Sequence, residues 1–248
     1  MSKKNTMKTL SLCLALTLVG IVGTVNSAIA ASFTGTLSDV TLKVDISQLS
    51  DFNLENVDGA NSPKPDIRTT GTGRAAGNST KSTLWDLDPL FSFIQLDYDG
   101  GDISGQSGNN GSGSAISSGN SNKLAITNTG SGGQLLTIGG TYSVSLTTII
   151  QDPELESAWA EFTLDIVTES GTILKSFTNS INGENQFNET KDFTVSLNVE
   201  GSKTVFIKSK LSGSAEMDDI FEIPEPSPLF AFLLVLGLGA LTKKRKKG

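Results

Sequence analysis

The chain has 248 residues, enough for one large or two modest globular domains, and it contains one cysteine and no histidine. Between residues 31 and 223, 25 acidic and 11 basic side chains give a formal charge of −14. Such a surface repels nucleic acid and anionic lipid, so neither is expected as a partner. Without histidine, Ser-His and Cys-His catalysis and histidine metal sites are excluded.

The first thirty residues have the three parts of a signal peptide. Three lysines precede an apolar stretch at residues 10–22, and Ala28 and Ala30 follow in the A-x-A spacing that signal peptidase accepts. The alternative, an uncleaved membrane anchor, needs roughly 20 apolar residues. Cleavage after Ala30 would make Ala31 the first residue and remove Cys13, leaving no thiol for disulfides or thiolate metal sites.

Short runs of alternating apolar and β-branched residues then recur, separated by Gly, Asn, Ser and Asp. Their spacing predicts an all-β protein, an antiparallel β-sandwich of the jelly-roll kind. A Ser170-Gly171 turn predicts a hairpin. The predicted strands are residues 40–46, 91–96, 123–127, 134–138, 142–150, 158–168, 172–177, 193–199, 204–209 and 215–223.

Two polar stretches interrupt this pattern, at residues 50–82 and 99–122. The second is dense in Gly, Ser and Asn and carries too little apolar surface to offset chain entropy by itself. It is predicted to be a flexible linker or a long loop. We therefore expect an N-terminal β segment with polar loops at 31–122, followed by the sandwich core at 123–223.

Two aromatic residues are candidates for stacking against the apolar face of a sugar ring. Trp85 lies in a loop-like region and is the better candidate for exposure. Trp159 lies in an alternating strand and is predicted to be in the core.

Carboxylates supply the remaining chemistry. Asp97, Asp99 and Asp102, with two glycines between them, form a candidate calcium site, and calcium is the one cofactor that the sequence suggests. A polar turn is the alternative interpretation, because the spacing is not that of an EF-hand. Asp218 and Asp219 form a second calcium candidate.

Glycoside hydrolysis would need two carboxylates about 5 to 9.5 Å apart, and Glu154, Glu156 and Glu161 are candidates for it. Surface charge is the commoner role for such residues. No catalytic residue is therefore predicted.

The strand order from residue 139 to residue 223, ending in the paired Asp218-Asp219, resembles the jelly-roll sandwiches of galactose-binding-like and carbohydrate-binding families. This resemblance implies a jelly-roll fold and binding to polysaccharide. An unrelated β-sandwich is the alternative.

The last 27 residues, EIPEPSPLFAFLLVLGLGALTKKRKKG, have three parts. Residues 229–241 are apolar or Gly, and Lys243, Lys244, Arg245, Lys246 and Lys247 follow, which predicts a membrane segment with its C-terminal end in the cytoplasm. A buried core helix and a disordered tail are the alternatives. Prolines before the apolar run make a core helix a poor fit.

With Pro224, Glu225 and Pro226 in front of it, this tail resembles the PEP-CTERM sorting signal of exported bacterial proteins. The resemblance implies passage through the inner membrane, transient anchoring there facing the periplasm, recognition by an exosortase, and release to the cell surface or beyond. It also implies a source that makes exopolysaccharide.

Three functional classes follow. The leading one is a non-enzymatic surface or matrix protein, associated with exopolysaccharide and biofilm. The second is a carbohydrate-binding module, which an exposed aromatic beside polar side chains would favour. The third is a secreted hydrolase, which a cleft with two opposed carboxylates would favour.

Overall fold

The computed structural model describes residues 30–45, 47, 49–87, 93–108 and 110–218. These residues form fourteen β-strands. The strands are β1 (Ser32–Asp45), β2 (Phe52–Val57), β3 (Asp66–Thr69), β4 (Arg74–Asn78), β5 (Lys81–Ser82), β6 (Phe93–Asp99), β7 (Gly101–Gln106), β8 (Ser112–Asn120), β9 (Lys123–Asn128), β10 (Gln134–Ile149), β11 (Glu156–Thr168), β12 (Ile173–Asn182), β13 (Asn185–Val199) and β14 (Ser202–Met217).

Two seven-stranded antiparallel sheets enclose one hydrophobic core, as the sequence predicts for an all-β chain. Sheet A has the order β13-β10-β1-β6-β5, with β7 also pairing with β1 and β4 pairing with β7. Sheet B has the order β12-β11-β14-β8-β3, with β9 also pairing with β14 and β2 pairing with β9. Strands from residues 31–122 and strands from residues 123–217 therefore pair with each other within both sheets.

Several strands are longer than the sequence indicates. Runs 134–138 and 142–150 join into β10, because Gly139 and Gly140 continue the ladder opposite β1. The run 204–209 and the start of the run 215–223 likewise join into β14, Ser202–Met217, and residues 219–223 of that run lie outside the described residues. The predicted hairpin at Ser170-Gly171 is confirmed, since Gly171 has a φ of 83° and its N–H bonds to the carbonyl of Thr168.

The prediction of a linker or long loop at residues 99–122 is wrong, because β7 and β8 lie there. The alternation of β8 places small residues inward: Gly113, Ala115 and Ser117 are buried, whereas Ser114 and Ile116 face out. The polar stretch at residues 50–82 likewise supplies four short strands, β2 to β5. Low hydrophobicity here reflects small side chains in a narrow interior.

Glycines allow the two sheets to approach closely around Phe33 of β1. A Cβ at Gly105 on β7 would lie 2.3 Å from Phe33 Cε1, and a Cβ at Gly213 on β14 would lie 2.4 Å from Phe33 Cδ2. A Cβ at Gly113 would lie 2.1 Å from the backbone oxygen of Arg74. Since real Cβ atoms do not come this close to a neighbour, glycine is required at these positions.

Aromatic rings fill the other end of the core, between β10, β11 and the edge strands β12 and β13. Tyr142 lies 4.8 Å from Phe177 and 6.0 Å from Phe162, and Phe177 lies 5.0 Å from Phe193, measured between ring centroids. The Tyr142 hydroxyl donates to the Glu189 carboxylate. Burial, followed by that carboxylate, raises the pKa of Tyr142. Offset packing of such rings adds to the free energy of burial.

We predict that Gly213→Ala lowers the free energy of unfolding by about 1 to 3 kcal/mol, because its new methyl group must displace the Phe33 ring. Gly139→Ala is the matched control: the nearest atom to its Cβ lies 3.9 Å away, so its stability should change by less than about 1 kcal/mol. Chemical denaturation followed by circular dichroism measures both. Equal stability of the two variants would contradict the close packing around Phe33.

Candidate functional site

The predicted processing residues lie at or beyond the limits of the described chain. Ala28, the Pro224-Glu225-Pro226 motif and basic residues 243–247 fall outside the described residues. Ala31 lies within them and is fully buried, and its carbonyl accepts a 2.8 Å hydrogen bond from the Ser107 N–H. No helix among the described residues is long and apolar enough to cross a bilayer.

The three acids of the first calcium candidate lie on the outer face of sheet A, each with its own partner. Asp97 accepts from the Gln95 side chain, and Asp102 accepts from the Asn78 side chain. Asp99 accepts from the Gly101 N–H and so caps the bend between β6 and β7. Within the described part of the chain, no three such side chains converge to hold a metal ion. Calcium binding stays a prediction.

Two of the glutamates considered for hydrolysis, Glu156 and Glu161, lie on opposite faces of β11. Glu156 is buried and accepts backbone N–H groups from Gln151 and Asp152 at 2.7 and 3.3 Å. Glu161, five residues further along β11, faces outward and binds Ser212 and Lys210. Carboxylates on opposite faces of one strand cannot both reach the same glycosidic bond.

Glu154 and Asp218 line a small depression of about 170 Å³ at the start of β11, together with Glu156. Asp219, the other half of the second calcium candidate, falls outside the described residues.

Trp85, the better candidate for an exposed aromatic, is buried, and only 2% of the residue is accessible. Its backbone N–H donates to the Asn56 side-chain oxygen at 2.9 Å, and the Asn56 side-chain amide donates a 2.8 Å bond to the Trp85 backbone carbonyl. Trp85 therefore anchors residues 83–87 to β2. Leu84, its neighbour, is turned outward and is 57% exposed.

The prediction that Trp159 lies in the core is wrong, because 40% of this residue is exposed. The buried positions of β11 are the even ones, beginning with Ala158, Ala160 and Phe162. Trp159 therefore shares the outer face of sheet B with Glu161. The same alternation is visible in the sequence and could have placed this side chain correctly.

The outer face of sheet A carries a regular array of small hydroxyl and amide side chains. Register places Thr36, Ser145 and Asn188 side by side across β1, β10 and β13, and the next row contains Ser38, Ser143 and Thr190. Hydrogen bonds join several of these groups, including Ser143 with Thr190 at 3.0 Å. We call this array the hydroxyl face: Thr34, Thr36, Ser38, Thr41, Thr141, Ser143, Ser145, Thr147, Asn188 and Thr190.

Three adjoining depressions run across this face, and we call them together the groove. The first, of about 460 Å³, lies over β1, β10 and β13. It meets the second, of about 400 Å³, at Ser38, and the second meets the third, of about 420 Å³, at Thr83 and Asp97. Five strands at about 4.8 Å spacing make the groove roughly 20 Å wide across the sheet.

A β-bulge forms the floor where the first two depressions meet. The pairing of β1 with β10 shifts between Ser38 and Thr41, and Asp39 adopts a φ of 52°. The neighbour of β1 changes at this point from β7 to β6. Bulges of this kind bend a strand and redirect its side chains. Here the bulge places the Asp39 side chain in the second depression.

Apolar side chains lie at one end of the groove and carboxylates line two of its three depressions. Leu84 and Phe93, which is 38% exposed, line the third depression. The Lys43 ammonium lies 5.1 Å from the centroid of the Phe93 ring. The carboxylates, which line the second and third depressions, are those of Asp39, Asp86, Asp97 and Asp99, and Lys81 is the one basic residue among the lining residues. A neutral or cationic ligand suits such a lining better than an anionic one.

Comparison of the chain with protein-family profiles, with curated proteins and with solved structures found no match.

We predict that acrylamide quenches the fluorescence of Trp159 strongly and that of Trp85 weakly, since Trp159 is exposed and Trp85 buried. Trp159→Phe should leave a blue-shifted, poorly quenched emission, whereas Trp85→Phe should leave a red-shifted, readily quenched one. These are the only two tryptophans of the chain, so the assignment is direct. Strong quenching of Trp85 with weak quenching of Trp159 would contradict the placement of Trp85 in the core and of Trp159 on the surface.

Proposed function

We propose that the chain is an exported, non-enzymatic surface or matrix protein that is sorted through its C-terminal tail. The order of its parts supports this. A signal-peptide pattern ends at Ala30, and β1 begins at Ser32. The last described strand ends at Met217, seven residues before Pro224 of the sorting motif. The sandwich thus fits between the two processing signals without sharing residues with either.

The placement of the candidate catalytic acids supports a non-enzymatic role. Glu156 stabilises the turn before β11, and Glu161 is held by the Ser212 hydroxyl at 2.6 Å and the Lys210 ammonium at 3.1 Å. The Ser212 hydrogen bond, aided by Lys210, lowers the pKa of Glu161. A general acid for glycoside cleavage needs the opposite shift.

The groove favours a second function, binding to a neutral polysaccharide. It is long enough for several sugar rings, its floor presents hydroxyl groups, and its carboxylates accept hydrogen bonds from sugar hydroxyls. Leu84 and Phe93 offer apolar contact at one end. A matrix protein that holds polysaccharide would combine both functions.

Sorting is tested by comparing the wild-type chain with a variant in which Pro224, Glu225 and Pro226 are all alanine, in a host that has an exosortase. Wild type should begin at Ala31, lose its tail and appear outside the inner membrane, because the motif is the recognition element. The variant should keep its tail and stay in the inner membrane. Intact mass and cell fractionation measure both properties.

If both proteins kept their tails in the inner membrane, the sorting proposal would be overturned. The chain would then be a periplasm-facing membrane protein anchored by residues 229–241.

Groove binding is tested with Ser143→Arg, which places a long side chain over the first depression. In affinity electrophoresis, at least one of the three polymers hydroxyethyl cellulose, galactomannan and dextran should slow the migration of the wild-type protein. Ser143→Arg should bind that polymer about tenfold more weakly. Ser131→Arg, at an exposed turn residue away from the groove, is the charge-matched control and should bind as wild type does. Polygalacturonate should bind more weakly than the neutral polymers.

The full chain is used, in a detergent without sugar groups. Equal binding by Ser143→Arg and Ser131→Arg would remove the groove as the binding site.

A further inference from the structure

Trp159 is the one tryptophan exposed in the described chain, and it stands away from the edges of its sheet. Its strand, β11, is paired on one side with β12 and on the other with β14. Register places Trp159 opposite Asn182 on β12 and opposite Ser214 on β14. The exposed 40% of Trp159 is therefore accessible to a ligand that approaches the outer face of sheet B.

The side chains beside Trp159 on β11 and β14 are small, and 40% of the tryptophan is exposed. Ser157 precedes it on the same face of β11, and Ser212 and Ser214 lie beside it on β14 with 1% and 8% of their surfaces exposed. Within the described chain, no aromatic ring and no ammonium group packs against the indole. A planar group of the size of a sugar ring can therefore approach it.

Two carboxylates share the outer face of sheet B with Trp159. Glu161, two residues further along β11, is held by Ser212 and Lys210. Glu216 lies two residues beyond Ser214, whose hydroxyl is 3.5 Å from the Glu216 carboxylate. An aromatic face with ionised carboxylates beside it matches a pyranose ring, whose C–H face stacks while its hydroxyls donate to the carboxylates. The negative charge of both glutamates disfavours an anionic sugar.

We propose that the surface formed by Trp159, Glu161, Ser214 and Glu216, named here the tryptophan site, is a second binding site for a neutral sugar ring. It lies on the outer face of sheet B, whereas the groove lies on the outer face of sheet A. The two sheets are about 10 Å apart. A polysaccharide chain in one site therefore does not occupy the other, and one molecule can join two chains.

This inference rests on the proposed binding in the groove. Joining two chains through two weak sites raises overall avidity without new contacts, and it cross-links the polymer. A protein with one site coats polysaccharide but does not connect it.

The test compares four full-length proteins in sugar-free detergent: wild type, Trp159→Ala, Trp159→Phe and Ser143→Arg. Each is titrated into the neutral polymer that retards wild type most, and light scattering reports cross-linking while affinity electrophoresis reports binding. Wild type should raise the scattering and Trp159→Phe should retain most of the rise. Trp159→Ala should bind about tenfold more weakly and lose the scattering increase.

Leu135→Ala is the matched control, because Leu135 is 66% exposed on the other sheet and belongs to neither site. Thermal unfolding of every variant shows whether a loss of binding reflects a loss of fold.

The outcomes separate the two proposals. If Trp159→Ala scatters and binds as wild type does while Ser143→Arg loses binding, the tryptophan site is refuted and the groove stands. If only Trp159→Ala loses binding, the tryptophan site stands as a single site, and both the groove and cross-linking are refuted. If both variants bind but neither cross-links, both sites stand. Failure of wild type to bind any of the three neutral polymers overturns both proposals.

Discussion

The rest of the structure depends on the close approach of the two sheets around Phe33. One ring fills the space between Gly105 of sheet A and Gly213 of sheet B, and any larger residue at either glycine would overlap it. Strand β8 meets β4 just as closely, at Gly113. The narrow interior determines which residues can occupy β7 and β8, and glycine, alanine and serine are the ones that fit. A stretch that lacks apolar bulk is consequently an ordered part of the core.

The same strand alternation that supplies a narrow core also determines both outer surfaces. Most inward glycine or apolar residues of β1 and β10 are followed by an outward threonine or serine, and the antiparallel register aligns these into the hydroxyl face. Small side chains in the middle of a sheet leave depressions where larger side chains would fill the surface. On sheet B, the residues beside Trp159 on β14 are small serines, and 40% of the tryptophan is exposed.

The alternation of apolar and polar residues in the sequence predicted the all-β class and the most regular strands. In strands such as β11 and β13, apolar residues at every second position mark the buried face. It also contained the correct position of Trp159, since Ala158, Ala160 and Phe162 define the inner face. The burial of Trp85 could not be read in this way. It depends on a paired hydrogen bond with Asn56, 29 residues away, which no local pattern reveals.

The groove was not predicted because it depends on register. Thr36, Ser145 and Asn188 are far apart in sequence and become neighbours only when β1, β10 and β13 pair. The strands at residues 99–122 were missed for a different reason. Hydrophobicity identifies strands that bury large side chains, whereas these strands bury glycine, and their stability comes from contacts with other parts of the chain.

Hydrogen exchange of the full-length protein, followed by mass spectrometry, tests most directly whether the Gly- and Ser-rich segment is part of the folded sandwich. Backbone amides in β7 and β8 should exchange nearly as slowly as those of β10 and β11, because they bond to neighbouring strands within the same two sheets. Exchange of residues 101–120 at the rate of an unstructured chain, with β10 and β11 protected, would contradict the close packing from which the core and both outer surfaces follow.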